Sequence, residues 1–246
     1  MSDDNFNSKS VVGTFDTIKH CWSITGYHKP IVNLKEIIME LKTITDTLLT
    51  GDADLLESQV KAALDAGTAP KVILNDALIP GMDIVGERME SGEMFIPEVL
   101  MSAQAMAGTV EILKPLLADG DIVSAGKVVI GTVQGDLHDI GKNLVAMMLE
   151  SAGFEVIDLG VDVSPEKFVE AASTNDANFI ALSALLTTTM DTMRRTIALI
   201  EEKGLKDKVK VLVGGAPVNQ AFADEIGAAG YAADAGSASK LAKTMN

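Results

Sequence analysis

Beyond Asn33 the chain shows two kinds of hydrophobic spacing in succession. Leu34, Ile37, Ile38, Leu41, Ile44 and Leu48 recur every three or four residues, the spacing of one helix face, with Asn33 placed to cap and Glu36 at the third helical position. This predicts a helix to about Leu49. Gly51-Asp52 breaks and recaps it, and Leu55, Leu56, Val60, Ala63 and Leu64 line a second helix up to Gly67. Pro70 opens a long helical segment through Val72, Ile73, Ala77, Ile84, Val85 and Met89, in which Pro80-Gly81 predicts a kink. After a polar turn around Gly92, Pro97 starts a fourth helix whose Leu100, Met101, Met106, Val110, Leu113 and Leu117 are expected to face inward. Four helices with short connections predict a bundle over residues 33–120.

The pattern changes at the polar linker Ala118-Asp119-Gly120-Asp121, which reads as a domain boundary. Short β-type runs follow at Val128–Val133, Glu155–Leu159, Asn178–Leu182, Val209–Val213 and, weakly, Gly230–Ala232. Between and after them, helices are expected at Ile140–Ala152, Pro165–Thr174, Met190–Lys203, Asn219–Ile226 and Ser237–Met245. Regular alternation of strand and helix predicts an α/β domain over residues 125–246, a doubly wound, five-stranded parallel sheet of flavodoxin-like order. The whole is therefore of class α + α/β. In such a sheet the first and third strands flank the point where strand order reverses, and ligands bind beyond their carboxyl ends.

Residues 1–32 keep neither periodicity for long and read as an extension carrying Phe15, Trp22 and Tyr27. His20, Cys21 and His28 lack the fourth ligand of a closed zinc site, so the segment reads as an arm or a partner contact.

Composition narrows the function. The 246 residues are 47% hydrophobic, enough for two modest cores. Twenty basic against 35 acidic residues give a net charge of −15, and aromatic residues make up only 4%. Such a surface repels a phosphate backbone and offers few stacking platforms, so no nucleic-acid partner is expected. No apolar run approaches a membrane span and the first 25 residues show no secretory signal, which predicts a cytoplasmic protein with no membrane partner. A single cysteine, Cys21, fits a reducing compartment.

The candidate chemistry lies at the carboxyl end of the first strand, where Gly135-Asp136-Leu137-His138-Asp139-Ile140-Gly141 places an imidazole, two carboxylates and two glycines in one strand-to-helix loop. Ser183-Ala184-Leu185 follows after 41 intervening residues and Gly214-Gly215 after a further 28. Asp136-x-His138-x-x-Gly141, Ser183-x-Leu185 and Gly214-Gly215 in this order resemble the cobalamin-binding signature of methionine-synthase-type corrinoid domains. Residues 33–246 are similar to the free-standing corrinoid proteins of methylamine, methanol, glycine-betaine-type and methoxy-aromatic methyltransferase systems.

This resemblance implies that His138 is the axial cobalt ligand of a cobalamin or related corrinoid, displacing the cofactor's own base, whose nucleotide tail threads into the domain. Asp136 would hold the other ring nitrogen, and Thr189 supplies a hydroxyl where methionine synthases have serine. Gly135, Leu137, Asp139 and Gly141 belong to the same loop. Ser183, Leu185 and Thr187 match positions near the tail, and Gly214, Gly215 and Ala216 match the segment lining it, where a missing Cβ lets the backbone come close. Gly92 to Val99 resembles the cap over the upper cobalt face, with Phe95 as shield and Val99 and Met106 beside it, although Met106 at helical spacing also reads as plain core.

The implied function is a methyl carrier. It would accept a methyl group on cob(I)alamin from a substrate:corrinoid methyltransferase and deliver it from methylcob(III)alamin to a second methyltransferase with a tetrahydrofolate or thiol acceptor, with a reductive activase as a further partner. No Ser/His/Asp nucleophile or Cys/His zinc cluster is visible, so no catalytic residue is assigned. A cobalamin-dependent sensor is the alternative, but the cap tryptophan of such regulators has no counterpart here, since Trp22 lies outside the bundle. A radical-mutase small subunit would not need the bundle.

Overall fold

The computed structural model describes residues 34–117 and 125–246. The Ala118–Asp121 boundary and the extension 1–32, with His20, Cys21, Trp22 and His28, lie outside the described residues.

The helix-spaced stretch forms α1 (Leu34–Thr50), with Ile44 and Leu48 fully buried. Asp52 caps α2 (Ala53–Asp65), its carboxylate accepting from the Leu55 amide at 3.0 Å and so satisfying one of the free first-turn N–H groups. Between these helices Gly51 sits at φ +70, and a Cβ there would come within 2.5 Å of the Met101 Cβ. Glycine thus lets this turn lie against the last helix of the bundle.

α3 (Pro70–Ile73) runs through a π-helical turn (Leu74–Leu78) into α4 (Ile79–Ser91). The irregularity predicted at Pro80-Gly81 therefore falls one turn earlier. Pro80 has no N–H for the i→i−4 ladder, and the backbone adapts ahead of it, the Ile79 amide reaching back to Leu74 O. α5 (Ile96–Leu113) begins one residue ahead of Pro97 and ends before a 3-10 turn (Lys114–Leu116), leaving Leu117 beyond it. Met101, expected inside, is 50% exposed, as are Ile38 (52%) and Leu55 (47%) to similar extents: their helices bury narrower faces than the spacing suggested. Val60, Ile73, Leu78, Val85, Val99 and Leu113 form the interior.

The remaining strands and helices are β1 (Lys127–Thr132), α6 (Ile140–Ser151), β2 (Glu155–Asp158), α7 (Pro165–Thr174), β3 (Phe179–Ser183), α8 (Met190–Glu202), β4 (Lys210–Gly214), α9 (Gln220–Ile226), β5 (Gly230–Ala232) and α10 (Ala235–Met245). The strands are all parallel in the order β2-β1-β3-β4-β5. This is the expected flavodoxin-like topology, with the reversal between β1 and β3. Register brings the ends level: Thr132 pairs with Ser183, and Ser183 with Gly214.

Alternation along the strands builds two cores. Val128 and Ile130 of β1 face Ala146 and Leu149 of α6 and Ala242 of α10, together with Phe179 and Leu212. Val129, Ile180 and Val211 face Phe168 of α7, Met193 and Ile197 of α8, and Ile226 of α9. On α6, Leu144 and Met148 point away from the sheet and join the bundle core, as does Ala235 of α10.

Candidate functional site

The strand β1 ends at Thr132, and Gly135, at φ +87, turns the chain so that Asp136 points inward while Leu137 and His138 face out. Asp136 is completely buried. Its Oδ1 accepts from the His138 ring at Nδ1 (2.6 Å) and from the His138 amide (3.2 Å). Its Oδ2 accepts from the amides of Leu185 (2.8 Å) and Leu186 (3.1 Å) and from the Thr189 hydroxyl (2.9 Å). Burial by itself would raise the carboxyl's pKa. The His138 ring bond and the three amides outweigh it and hold Asp136 far below the usual carboxylate range.

An ionised Asp136 makes Nδ1 of His138 the protonated ring nitrogen and leaves Nε2 with its lone pair available as a ligand. The side chain is 51% exposed, and its carbonyl is fixed from behind by the Thr132 hydroxyl at 2.8 Å. The arrangement presents one basic nitrogen at a set angle. Thr189 ends a 3-10 turn (Thr187–Thr189) after β3; its single proton has two acceptors in range, Asp136 Oδ2 and the Leu186 carbonyl at 2.8 Å.

Beside His138 lies a cavity of about 540 Å³ across the carboxyl edge of the sheet. The first loop and α6 contribute Leu137, His138, Asp139 and Gly141; the β3 end contributes Ser183, Ala184 and Leu185; the β4 end contributes Gly214, Gly215 and Ala216; and Ala233, Asp234 and Ala238 close it beyond β5. A Cβ at Gly141 would meet nothing within 4 Å. Space of this size, with mostly apolar walls and an imidazole at one end, is that of a small-molecule or cofactor site.

Not every expected residue has the expected surroundings. Gly215 lines the cavity, yet its glycine is required by packing: φ is +121, and a Cβ would stand 1.9 Å from the Ala184 carbonyl oxygen. At Gly214 a Cβ would be 3.0 Å from Ala232 O. Thr187 is exposed on its turn, away from the cavity wall, and Asp139 stands at the N-cap position of α6 without a side-chain capping bond, its carboxylate accepting instead from the Asn143 side-chain amide at 3.3 Å. Of the cap residues, Val99 and Met106 are buried in the bundle core, whereas Phe95, at the start of α5, is 69% exposed. The Phe95 amide is held by the Glu98 carboxylate at 2.8 Å.

Four contributors escaped side-chain reading. The Leu185 and Leu186 amides carry no side-chain signal. Lys142, 3% exposed at the start of α6, pairs with Asp158 at the end of β2. Asp162, in the loop after β2, accepts from the Gly135 amide at 2.8 Å. A lysine inside a binding motif and an aspartate in a strand-to-helix turn were the available hints.

Residues 126–239 match a family described as a B12 binding domain, and residues 40–114 match a second family of the same description. A corrinoid protein of Desulfitobacterium hafniense is 43% identical over 214 residues, covering 85% of this chain and 98% of that protein. The dimethylamine corrinoid protein of Methanosarcina barkeri is 45% identical over 206 residues, 83% of this chain and 96% of its own. Among solved structures, a cobalamin-binding protein from Desulfitobacterium hafniense superposes with a TM-score of 0.74 at 31% identity, over 85% of this chain and 99% of that one. The methanol:cobalamin methyltransferase complex MtaBC from Methanosarcina barkeri contains a chain that matches with a TM-score of 0.73 at 30% identity, over 100% of this chain and 93% of its own. Among the described residues, no helix is long and apolar enough to cross a membrane. With helices and sheet both matched, and a relative 45% identical across nearly its full length, the chain belongs to the B12-binding corrinoid-protein family of methyltransferase systems.

Proposed function

We propose that this chain is a methyl carrier: it takes a methyl group from a substrate-specific corrinoid methyltransferase and yields it to an acceptor methyltransferase that passes it to tetrahydrofolate or a thiol. The observation that carries this reading is the half-exposed His138, held at Nδ1 by a buried carboxylate at 2.6 Å, beside a cavity of about 540 Å³. The similarity to a dimethylamine corrinoid protein and to a chain of a methanol:cobalamin methyltransferase complex supports a methyltransferase partner. A bound corrinoid supplies the cobalt chemistry, a metal that alternately takes up and releases a methyl group.

The residues divide the remaining work. His138 would hold the metal through Nε2, and Asp136, with Thr189 behind it, keeps that nitrogen's lone pair free and aimed. Gly141, Ser183, Leu185, Gly214, Gly215 and Ala216 surround the tail inside the cavity, with Gly135, Leu137, Asp139 and Thr187 completing the two loops. Phe95, exposed at the start of α5, would shield a bound cofactor from water, with Val99 and Met106 of the same helix as lesser contributors. The helical domain 33–120 withdraws from domain 125–246 when a partner methyltransferase engages, and a reductive activase restores carrier that has been oxidised.

Electron paramagnetic resonance of the Co(II) protein, grown with nitrogen-labelled histidine, tests this reading. Coupling to a histidine nitrogen is expected, lost in His138→Ala while corrinoid is retained. Coupling to the cofactor's own base in the unaltered protein would overturn it.

A further inference from the structure

Asp136 is tied by its side chain to the β3 side of the site, but its main chain is tied on the β2 side. Asp162 makes two bonds there, one to Gly135 and one to Asp136 itself. Its Oδ1 accepts from the Gly135 amide at 2.8 Å, and its own amide donates to the Asp136 carbonyl at 3.1 Å. It does so at φ +54, a left-handed conformation that glycine adopts freely and that aspartate tolerates. The loop behind it is anchored in turn. The Val163 amide donates to Thr132 O at 3.0 Å, the Thr132 amide donates to Gly160 O at 2.9 Å, and the Gly160 amide donates to Asp158 Oδ1 at 2.8 Å. Asp158 also receives the buried Lys142 ammonium from the first turn of α6. Two successive loops, one from β1 and one from β2, are thus laced together immediately beneath the imidazole.

We propose that Asp162 is a positioning residue for His138, a role that rests on the carrier reading above. It fixes the Gly135–Asp136 peptides so that the carboxylate, and through it the ring, holds one orientation. A plain turn between β2 and α7 would serve equally well, or better, with glycine at this position. Aspartate tolerates this backbone, as Asp176 does at φ +51; what sets Asp162 apart is its two bonds to the Gly135–Asp136 segment.

That contrast supplies the test. Asp162→Gly frees the backbone and removes the acceptor, Asp162→Ala removes the acceptor and keeps a Cβ at positive φ, and Asp162→Asn keeps both the acceptor and a tolerance of positive φ. Amide hydrogen exchange on the cofactor-free protein should show Gly135 exchanging about tenfold faster in the glycine and alanine variants, the size of one lost charge-assisted hydrogen bond. After loading with corrinoid, those two variants should show a severalfold smaller histidine-ligated fraction by the labelled-histidine resonance described above, and the asparagine variant, which keeps a neutral acceptor, should lie closer to the unaltered protein than to the glycine variant in both measurements. The proposal is overturned if Asp162→Gly equals the unaltered protein, if asparagine rescues neither property, or if exchange accelerates while ligation stays unchanged. Should the unaltered protein hold no histidine-ligated corrinoid, the carrier reading fails, and the exchange comparison still decides whether Asp162 braces the loop.

Discussion

The segment after β1 and the segment after β4 line one cavity but hold their shapes by different means. At Gly135 to Gly141 a buried carboxylate gathers donors from three places in the chain, and the backbone follows that chemistry. At Gly214-Gly215 there is no such charge; the chain lies so close to Ala184 and Ala232 that a side chain has nowhere to go. Two glycines of the same signature therefore differ in kind. Gly141 leaves room for something outside the protein, and Gly215 leaves room for the protein itself. Matching a motif locates a site, and only the surroundings of each residue assign its role.

The comparison breaks most violently at Gly215. Gly215→Val should destabilise the fold by about 4 kcal/mol or more, because a β-branched residue at positive φ meets a backbone oxygen; any loss of corrinoid binding should track unfolding in a denaturant titration. Corrinoid loss with unchanged stability would show that Gly215 does belong with Gly141. Next, Asp136→Ala should cost about 3 kcal/mol by stranding the Leu185 and Leu186 amides around a void.

The same carboxyl sets a pH dependence. Since its folded pKa lies below the unfolded value near about 4, ionised Asp136 stabilises the fold above that pH, and the contribution is lost as pH falls from there toward the depressed value. Asp136→Asn should flatten the acid limb of a stability profile measured by urea denaturation.

Gly141→Leu is the sharpest contrast with Gly215. It should leave stability within about 1 kcal/mol, since leucine favours a helix start more than glycine does, while lowering corrinoid affinity by about tenfold through intrusion into the cavity. Equilibrium binding followed by absorbance would measure it. Smallest is Thr189→Val, which should cost about 1 kcal/mol and be rescued by serine, the hydroxyl being the part that Asp136 uses.

Much of this was legible in the sequence. β-Branched runs marked the strands, with ends within about two residues of those found, because parallel strands covered on both faces are nearly uninterrupted apolar segments. Asp136 and His138 stood out as a carboxylate and an imidazole in one strand-to-helix loop, whereas Thr189 entered only through the resemblance; the structure bonds all three together. Met101 misled because a continuous apolar helix, Leu100-Met101 included, does not say how wide a face its neighbours cover. The π turn ahead of Pro80 followed from the proline's missing donor, but the choice of which turn absorbs it belongs to packing. Asp162 and the Leu185 and Leu186 amides act through main-chain bonds between distant loops, and no local pattern encodes those.

The Asp136 network also fixes when in folding the site can exist. Its partners Leu185, Leu186 and Thr189 are 49, 50 and 53 residues further along the chain. Closing that loop accompanies the pairing of β1 with β3, across an interval that holds α6, β2 and α7. Until then Asp136 is an ordinary hydrated carboxylate and His138 swings freely. A nascent chain emerging from the ribosome therefore cannot orient the imidazole before Thr189 is free to dock, and any fragment ending ahead of that residue keeps the signature histidine in its sequence without the site.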